Sequence, residues 1–173
     1  MEVMEAVKSR RSTRSFEPSK LPPEFIQDIE SAILNSPSGS NAQESHFVIV
    51  QDERQLRLIK RFAPGLSGDP AAVVVFCSNA TESINRGGVD TAEVLRFVNL
   101  GIAAAYVLLS AHSNGVGNCP VRSFHRQSIK RILRLPEDVE PELLISLGYT
   151  STPPRSKTSK QAVEVISHDQ YGN

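Results

Sequence analysis

One stretch constrains the fold more than any other. From Thr91 to Ser113 the sequence reads as a single long helix. Asp90 and Glu93 sit at its positive end, and Asn114-Gly115 supplies a stop, since glycine readily takes the left-handed turn that closes a helix. Its second half is apolar on nearly every side, so it is expected to be buried on several sides. The densest part, Phe97 to Leu109, is thirteen residues interrupted by Asn99 and Gly101. A membrane span needs roughly 20 apolar residues, so the expectation is a core helix and no membrane. Burial on several sides is more than a peripheral helix of a small monomer needs, and a subunit interface would account for it.

The rest of the chain arranges itself around that helix. Its 173 residues suit one domain, 1–173, and show no internal repeat. Val3 and Val7 mark one face of a short helix over Glu2–Ser9. Pro22-Pro23 opens a helix to about Leu34, with Ile26, Ile29 and Ile33 as its stripe. His46–Val50 reads as a strand, and Asp52 can cap a helix to about Phe62. Ala71–Cys77 is a short continuous apolar run, expected as a strand covered on both faces. Asn79–Gly88 is expected as a loop. Gly117–Val121 is short and extended, Ser123–Leu133 is a helix capped by Ser123, and Leu143–Leu147 is a strand ending at Gly148. Thr150–Gln161 is a linker, and Ala162–Ile166 alternates well enough to be a last strand, at an edge or added to one. The fold class is α+β: a small mixed sheet with helices packed on it.

Charge and cysteine usage exclude several classes. Nineteen basic residues balance nineteen acidic ones, which argues against a nucleic-acid or membrane-surface binder. Cys77 and Cys119 belong to no C-x-x-C pair, so neither a metal site nor a disulfide framework is expected, and both read as free thiols of a reducing cytoplasm. Met1–Val7 carries charges where a leader peptide would be apolar. His46, His112, His125 and His168 are scattered without ligand spacing. No phosphate-binding P-loop, H-E-x-x-H or G-x-S-x-G motif is present, so no protein nucleophile stands out and a cofactor would carry any chemistry.

Four segments can hold a ligand. Arg10-Arg11-Ser12-Thr13-Arg14 sets three guanidiniums within five residues. They repel one another unless an anion sits among them, and arginine forks match phosphate oxygens; a solvated basic turn is the alternative. Ser36-Pro37-Ser38-Gly39-Ser40-Asn41-Ala42-Gln43 lets backbone approach a ligand while Asn41 and Gln43 offer donors and acceptors; otherwise it is an ordinary loop. Gly115-Val116-Gly117-Asn118-Cys119-Pro120-Val121-Arg122-Ser123 closes the long helix and could face a flat ligand, or could be a helix cap alone. Pro153-Pro154-Arg155-Ser156-Lys157 offers cations that could reach back to a phosphate, or a solvated linker.

In this order and spacing the segments resemble the nitroreductase-like family of FMN-dependent oxidoreductases. Arg10–Phe16 is similar to that family's R-R-S-x-R-x-F run, Ser36–Gln43 to its loop that reaches the flavin of the other subunit, Gly115–Cys119 to its G-L-G-x-C turn, and Leu144–Tyr149 with Lys157 to its closing strand and basic residue. The resemblance implies a homodimer with FMN at the interface, taking hydride from NADH or NADPH and passing electrons to a nitroaromatic, quinone or similar small acceptor in ping-pong fashion. It implies that Arg10, Arg11, Ser12, Arg14 and Lys157 hold the phosphate and the ring edge. Pro37, Ser38, Gly39, Ser40, Asn41 and Gln43 would contact the flavin, as would Cys119, Pro120 and Val121. The backbone N–H groups of Arg122 and Ser123 would lie near flavin N5. Arg122-Ser123 stands where many relatives have two glycines, Glu44-Ser45-His46 where an aromatic is common, and Thr158-Ser159 where an arginine often follows the lysine. Cys77–Asp90 is short for the family's helical lid. Other readings are an FMN carrier or redox sensor without turnover, and a specialised branch such as a reductive dehalogenase or flavin-fragmenting enzyme.

Overall fold

A computed structural model describes residues 1–172. Its helices are α1 (Val3–Ser9), α2 (Pro23–Leu34), α3 (Glu53–Arg61), α4 (Ala80–Asp90), α5 (Arg96–Ser113) and α6 (Arg126–Leu133); its strands are β1 (His46–Val50), β2 (Ala72–Asn79), β3 (Gly117–Val121) and β4 (Val139–Gly148). The strands form one sheet in the order β1-β2-β4-β3, antiparallel throughout rather than mixed as expected, so β1 and β3 are its edges.

Helices cover both faces of this sheet. Val74 and Phe76 of β2 join Phe25 and Ile29 of α2 and Leu100, Ala103 and Val107 of α5 in one core. Val73, Val75 and Cys77 point the other way, to Ile59 of α3 and Ile129 of α6. That is why β2 is an unbroken apolar run although its neighbours are antiparallel, an arrangement that usually leaves one face wet. Asp52 accepts from the Gln55 N–H at 2.8 Å and starts α3 as expected. Gly115, at φ 73°, closes α5 where the sequence places the stop.

The structure departs from the sequence reading in five further places. Asn79–Gly88 is helical, not a loop: the Asn79 carbonyl side chain accepts from the Glu82 N–H at 2.9 Å, and Arg86 pairs with Glu82 one turn away at 2.6 Å. The glycines that suggested a loop act only at its end, where Gly88 has φ 79° and a π-helical turn, Thr91–Leu95, joins α4 to α5. Next, α6 starts at Arg126, because His125 and not Ser123 caps it, its ring nitrogen accepting from the Ser128 N–H. β4 begins at Val139 rather than Leu143. Pro141 and two glutamates hide that half from a hydrophobicity reading, and a bulge absorbs the irregularity: Phe76 pairs with Leu143 and Cys77 with Pro141, so Glu142 is left over.

The fourth departure is the tail. Ala162–Ile166 is no strand; a short 3-10 turn occupies Ala162–Glu164, and every residue from Ser151 to Gly172 is exposed. The fifth concerns α5 itself. Its inner face is buried, but Val94 of the preceding turn, Phe97, Val98 and Tyr106 keep 59%, 43%, 48% and 43% of their surface. The helical stretch Ala80–Ser113, kinked at Gly88, is long and apolar enough to cross a membrane; here the inner face of α5 belongs to the core of the sheet and its outer apolar stripe is uncovered.

Candidate active site

The basic turn after α1 is pinned beside the end of β3. The Thr13 N–H donates to the Asn118 carbonyl at 2.8 Å, and Ser12 and Asn118 form a parallel bridge. Asn118 is fully buried, and its amide also ties the Leu108 and Val116 carbonyls. A side chain at Gly117 would meet Thr13 Cγ2 at 2.8 Å and the Gly148 carbonyl at 3.0 Å, so only glycine lets the turn lie this close.

The three arginines of the turn are not equivalent. Arg11 donates to the Lys8 and Arg10 carbonyls at 2.8 Å each, so its guanidinium caps α1. Arg10 is half-buried, and its Nη1 is buried without an acceptor among the described residues. Arg14 is exposed and lines, with Ser12, Thr152, Pro153 and Arg155, a cleft of about 130 Å³. Arg155 therefore comes to the turn, whereas Lys157 lies further out on the exposed tail. Next to the arginines, His112 Nε2 shares a 2.7 Å hydrogen bond with Ser9 Oγ. Burial, followed by the fields of Arg10 and Arg11, holds its pKa below the usual value, against an opposing pull from Glu5.

The loop containing Pro37, Ser38, Gly39, Ser40, Asn41 and Gln43 lies elsewhere. The Gly39 N–H donates to Asn99 Oδ1 at 2.9 Å, near the start of α5. Ser40, Asn41 and Gln43 have φ of 53°, 52° and 51°, three left-handed non-glycine residues in one loop. Such backbone persists only where surroundings over-determine it, and here Ser38 Oγ accepts from the Gln43 N–H while the Gln43 amide donates to Asn41 Oδ1 at 2.9 Å. Behind the loop, buried Glu44 accepts from Asn99 through one oxygen and leaves the other without a partner among the described residues. Asn99 and His112 are thirteen positions apart on α5, about 20 Å at the helical rise. One chain thus holds the loop and the basic turn at opposite ends of the same helix.

β3 places Cys119 and Val121 inside and Pro120 at the surface, and the turn after it leaves Arg122 and Ser123 exposed. Next to that turn β4 brings a group that the sequence reading does not contain. Glu142, the bulge residue, is buried; it pairs with Arg126, lies 3.7 Å from Arg122, and accepts from Ser78 Oγ at 3.0 Å. Arg96 donates to the same Ser78 hydroxyl at 3.4 Å. A glutamate next to an apolar strand run was the available signal, since a buried carboxylate requires cationic partners.

Comparison with known proteins places the chain in a family. The profile of the nitroreductase family matches residues 7–70 and 66–149. The chain belongs to the nitroreductase family. A nitroreductase family protein from Clostridium difficile 630 superposes with a TM-score of 0.87 at 21% identity, covering 98% of this chain and 99% of that one. A Methanothermobacter thermautotrophicus protein, provisionally named NADH dehydrogenase/NAD(P)H nitroreductase, is 30% identical over 165 residues, 91% of this chain and 82% of its own length. The FMN reductase (NAD(P)H) of Bacillus subtilis is 25% identical over 193 residues, 98% of this chain and 74% of its own. The α+β nitroreductase fold and an oxidoreductase family membership stand on these likenesses.

Proposed function

We propose that this nitroreductase family member is an FMN-dependent oxidoreductase that works as a homodimer. The observation that carries the reading is the separation of the two half-sites along α5. The stripe between them is apolar, uncovered and punctuated by small residues: Gly101 and Ala105 are exposed, and nothing lies within 4 Å of a side chain built at Gly101. A two-fold pairing of α5 with its copy covers the stripe and sets the Pro37–Gln43 loop of one subunit against the basic turn of the other.

The residues fit FMN. An orphaned Arg10 Nη1, the Ser12 hydroxyl and the exposed forks of Arg14 and Arg155 suit a phosphate ester, which arginine grips bidentately. Arg11 uses Nη1 on the Lys8 and Arg10 carbonyls and would contribute its charge and remaining N–H groups. Lys157 would have to reach in from the tail. Ser38, Ser40, Asn41 and Gln43 present polar groups to a ring edge, and the exposed Arg122-Ser123 turn supplies backbone N–H groups beside the reacting position. Bound FMN would supply two-electron redox chemistry between NADH or NADPH and a small acceptor of the nitroaromatic or quinone type. The tail has a place in the same dimer. An open cleft of about 800 Å³, lined by Val48, Val50, Leu58 and Leu133, runs beside β1, which is a free sheet edge. The alternating Val163 and Val165, 85% and 61% exposed, would add to that edge in the partner.

The test is the visible spectrum of the purified protein with FMN, before and after anaerobic NADH and then NADPH, with the mass measured by light scattering. A dimer whose flavin bands bleach is the expected result. Bands that persist would make the protein a flavin carrier, and a monomer would dismantle the shared site.

A further inference from the structure

Resting on the oxidoreductase reading, we infer that the acceptor site beside Arg122 selects acceptors bearing an anionic group, a carboxylate in the first instance, and that Arg122, Arg126 and Arg96 recognise it. Three guanidiniums converge here on one carboxylate, Glu142, through Ser78 in the case of Arg96. The neighbouring charges are otherwise engaged: Lys130 pairs with Glu140, Asp138 accepts from Asn79, and Arg86 pairs with Glu82. The local balance around Glu142 is therefore an excess of cations, next to the turn that would carry the flavin's reacting edge.

The hydrogen-bond inventory points the same way. Each guanidinium carries five N–H donors, yet Arg122 lies 3.7 Å from its carboxylate, beyond hydrogen-bond distance, and Arg96 has only the long contact to Ser78. The Nε groups of Arg96 and Arg126 are buried with no acceptor among the described residues. The heads remain within reach: Arg122 keeps 59% of its side-chain surface and Arg126 keeps 37%. Phe97 under Arg96, at 4.5 Å, and Phe124 under Arg122, at 5.6 Å, support the planar groups from one side. Glu142 comes to these forks because the bulge removes it from the β2 register, and bulges commonly re-aim a side chain next to a site. Glu142 is thus a positioning residue, and the donors it leaves free are matched to a second carboxylate, brought by the acceptor.

The experiment compares 4-nitrobenzoate with its neutral isostere 4-nitrobenzamide on the FMN-loaded dimer. In each turnover one NADH and one proton convert the nitro group to nitroso and water. Intrinsic reducibility cancels when the kcat/KM ratio of the two acceptors is compared between variant and parent. Arg122→Gln, a change at an exposed head group, is expected to lower the benzoate-to-benzamide ratio about tenfold, chiefly through KM, the size expected for one charge-assisted contact. Arg122→Lys is expected to keep most of the ratio. An unmoved ratio with both acceptors still turned over overturns the inference and leaves the flavin reading intact. If instead the ratio is unmoved while KM for NADPH rises against that for NADH, the forks serve the donor's phosphate and the acceptor inference is overturned. If no FMN is retained and neither acceptor reacts, both readings fall together.

Discussion

The strand β2 and the tail beyond Thr150 both read from sequence as containing a strand, and only one of them is a strand in the single chain. Ala72–Cys77 is fully buried and hydrogen-bonded on both sides. Ala162–Ile166 has the alternation of a strand, but it pairs with neither edge of its own sheet and stays exposed, with a 3-10 turn over Ala162–Glu164. A hydrophobic pattern states which face a segment would bury; whether it becomes a strand depends on an edge being available. The same contrast runs through the candidate site. The basic turn is built into the fold by Asn118 and Gly117, whereas the outer stripe of α5 stays exposed, and the proposed dimer is what would cover it.

The largest expected effect lies in β2. Phe76 is fully buried and meets Phe47 edge-to-face, with centroids 5.1 Å apart and planes at 82°. Phe76→Ala should cost about 3–5 kcal/mol, for the lost transfer energy and the cavity, read as a shift of the urea midpoint. Tyr171→Ala, in the tail, should stay within about 0.5 kcal/mol of the parent. Equal losses at the two positions would mean that the tail is packed in solution.

A second effect comes from Cys77 in the same strand. Burial pushes its thiol up to about 12, with Glu142 and then Glu140 adding to the shift. The unfolded chain loses this proton near pH 9, the folded chain only near 12. Between those values the native state holds the proton and the unfolded state does not, so raising pH drains stability, by at most about 1.4 kcal/mol per pH unit. Cys77→Ala should flatten that part of the curve relative to the parent, and thiol reagents should label Cys77 only on unfolding. A parallel pair of curves above pH 9 would show that the thiolate is tolerated where it lies.

What could be read in the sequence follows from the range of the interactions concerned. β1, α2, α3 and the stop at Gly115 depend on local patterns, a cap or a turn residue, and they stand as read. The early half of β4 was missed because Pro141 and Glu142 are explained only by a bulge opposite Cys77, 64 positions or more away in sequence from their partners on β2. Helix α4 was missed because Gly87-Gly88 counts against it, while the Asn79 cap and the Glu82–Arg86 pair that favour it are modest signals. The basic turn and the Pro37–Gln43 loop of the candidate site stand out in the sequence by residue type alone. The different contacts of Arg10 and Arg11, and the place of Arg155 beside Arg14, depend on where backbone carbonyls and a tail come to lie, which composition does not encode.

The smallest effect on the fold bears most on the comparison. Removing residues 151–173 deletes no buried side chain among the described residues; its internal order is a capping pair in which Glu164 accepts from the Gln161 N–H at 2.6 Å. The circular dichroism of the sheet should survive, and dilute samples should lose less than about 1 kcal/mol. Association should respond differently. If the partner's tail supplies a strand to β1, the truncated dimer loses one edge pairing per subunit while keeping the α5 contact. Its dissociation should then become visible by light scattering at concentrations where the full chain is wholly dimeric; FMN retention is no measure of it, because the deletion also removes Arg155 and Lys157. A truncated protein that remains dimeric on the same dilution series would assign the interface to α5 alone. The alternation of Val163 and Val165 would then belong to a linker, and β1 would be a true free edge.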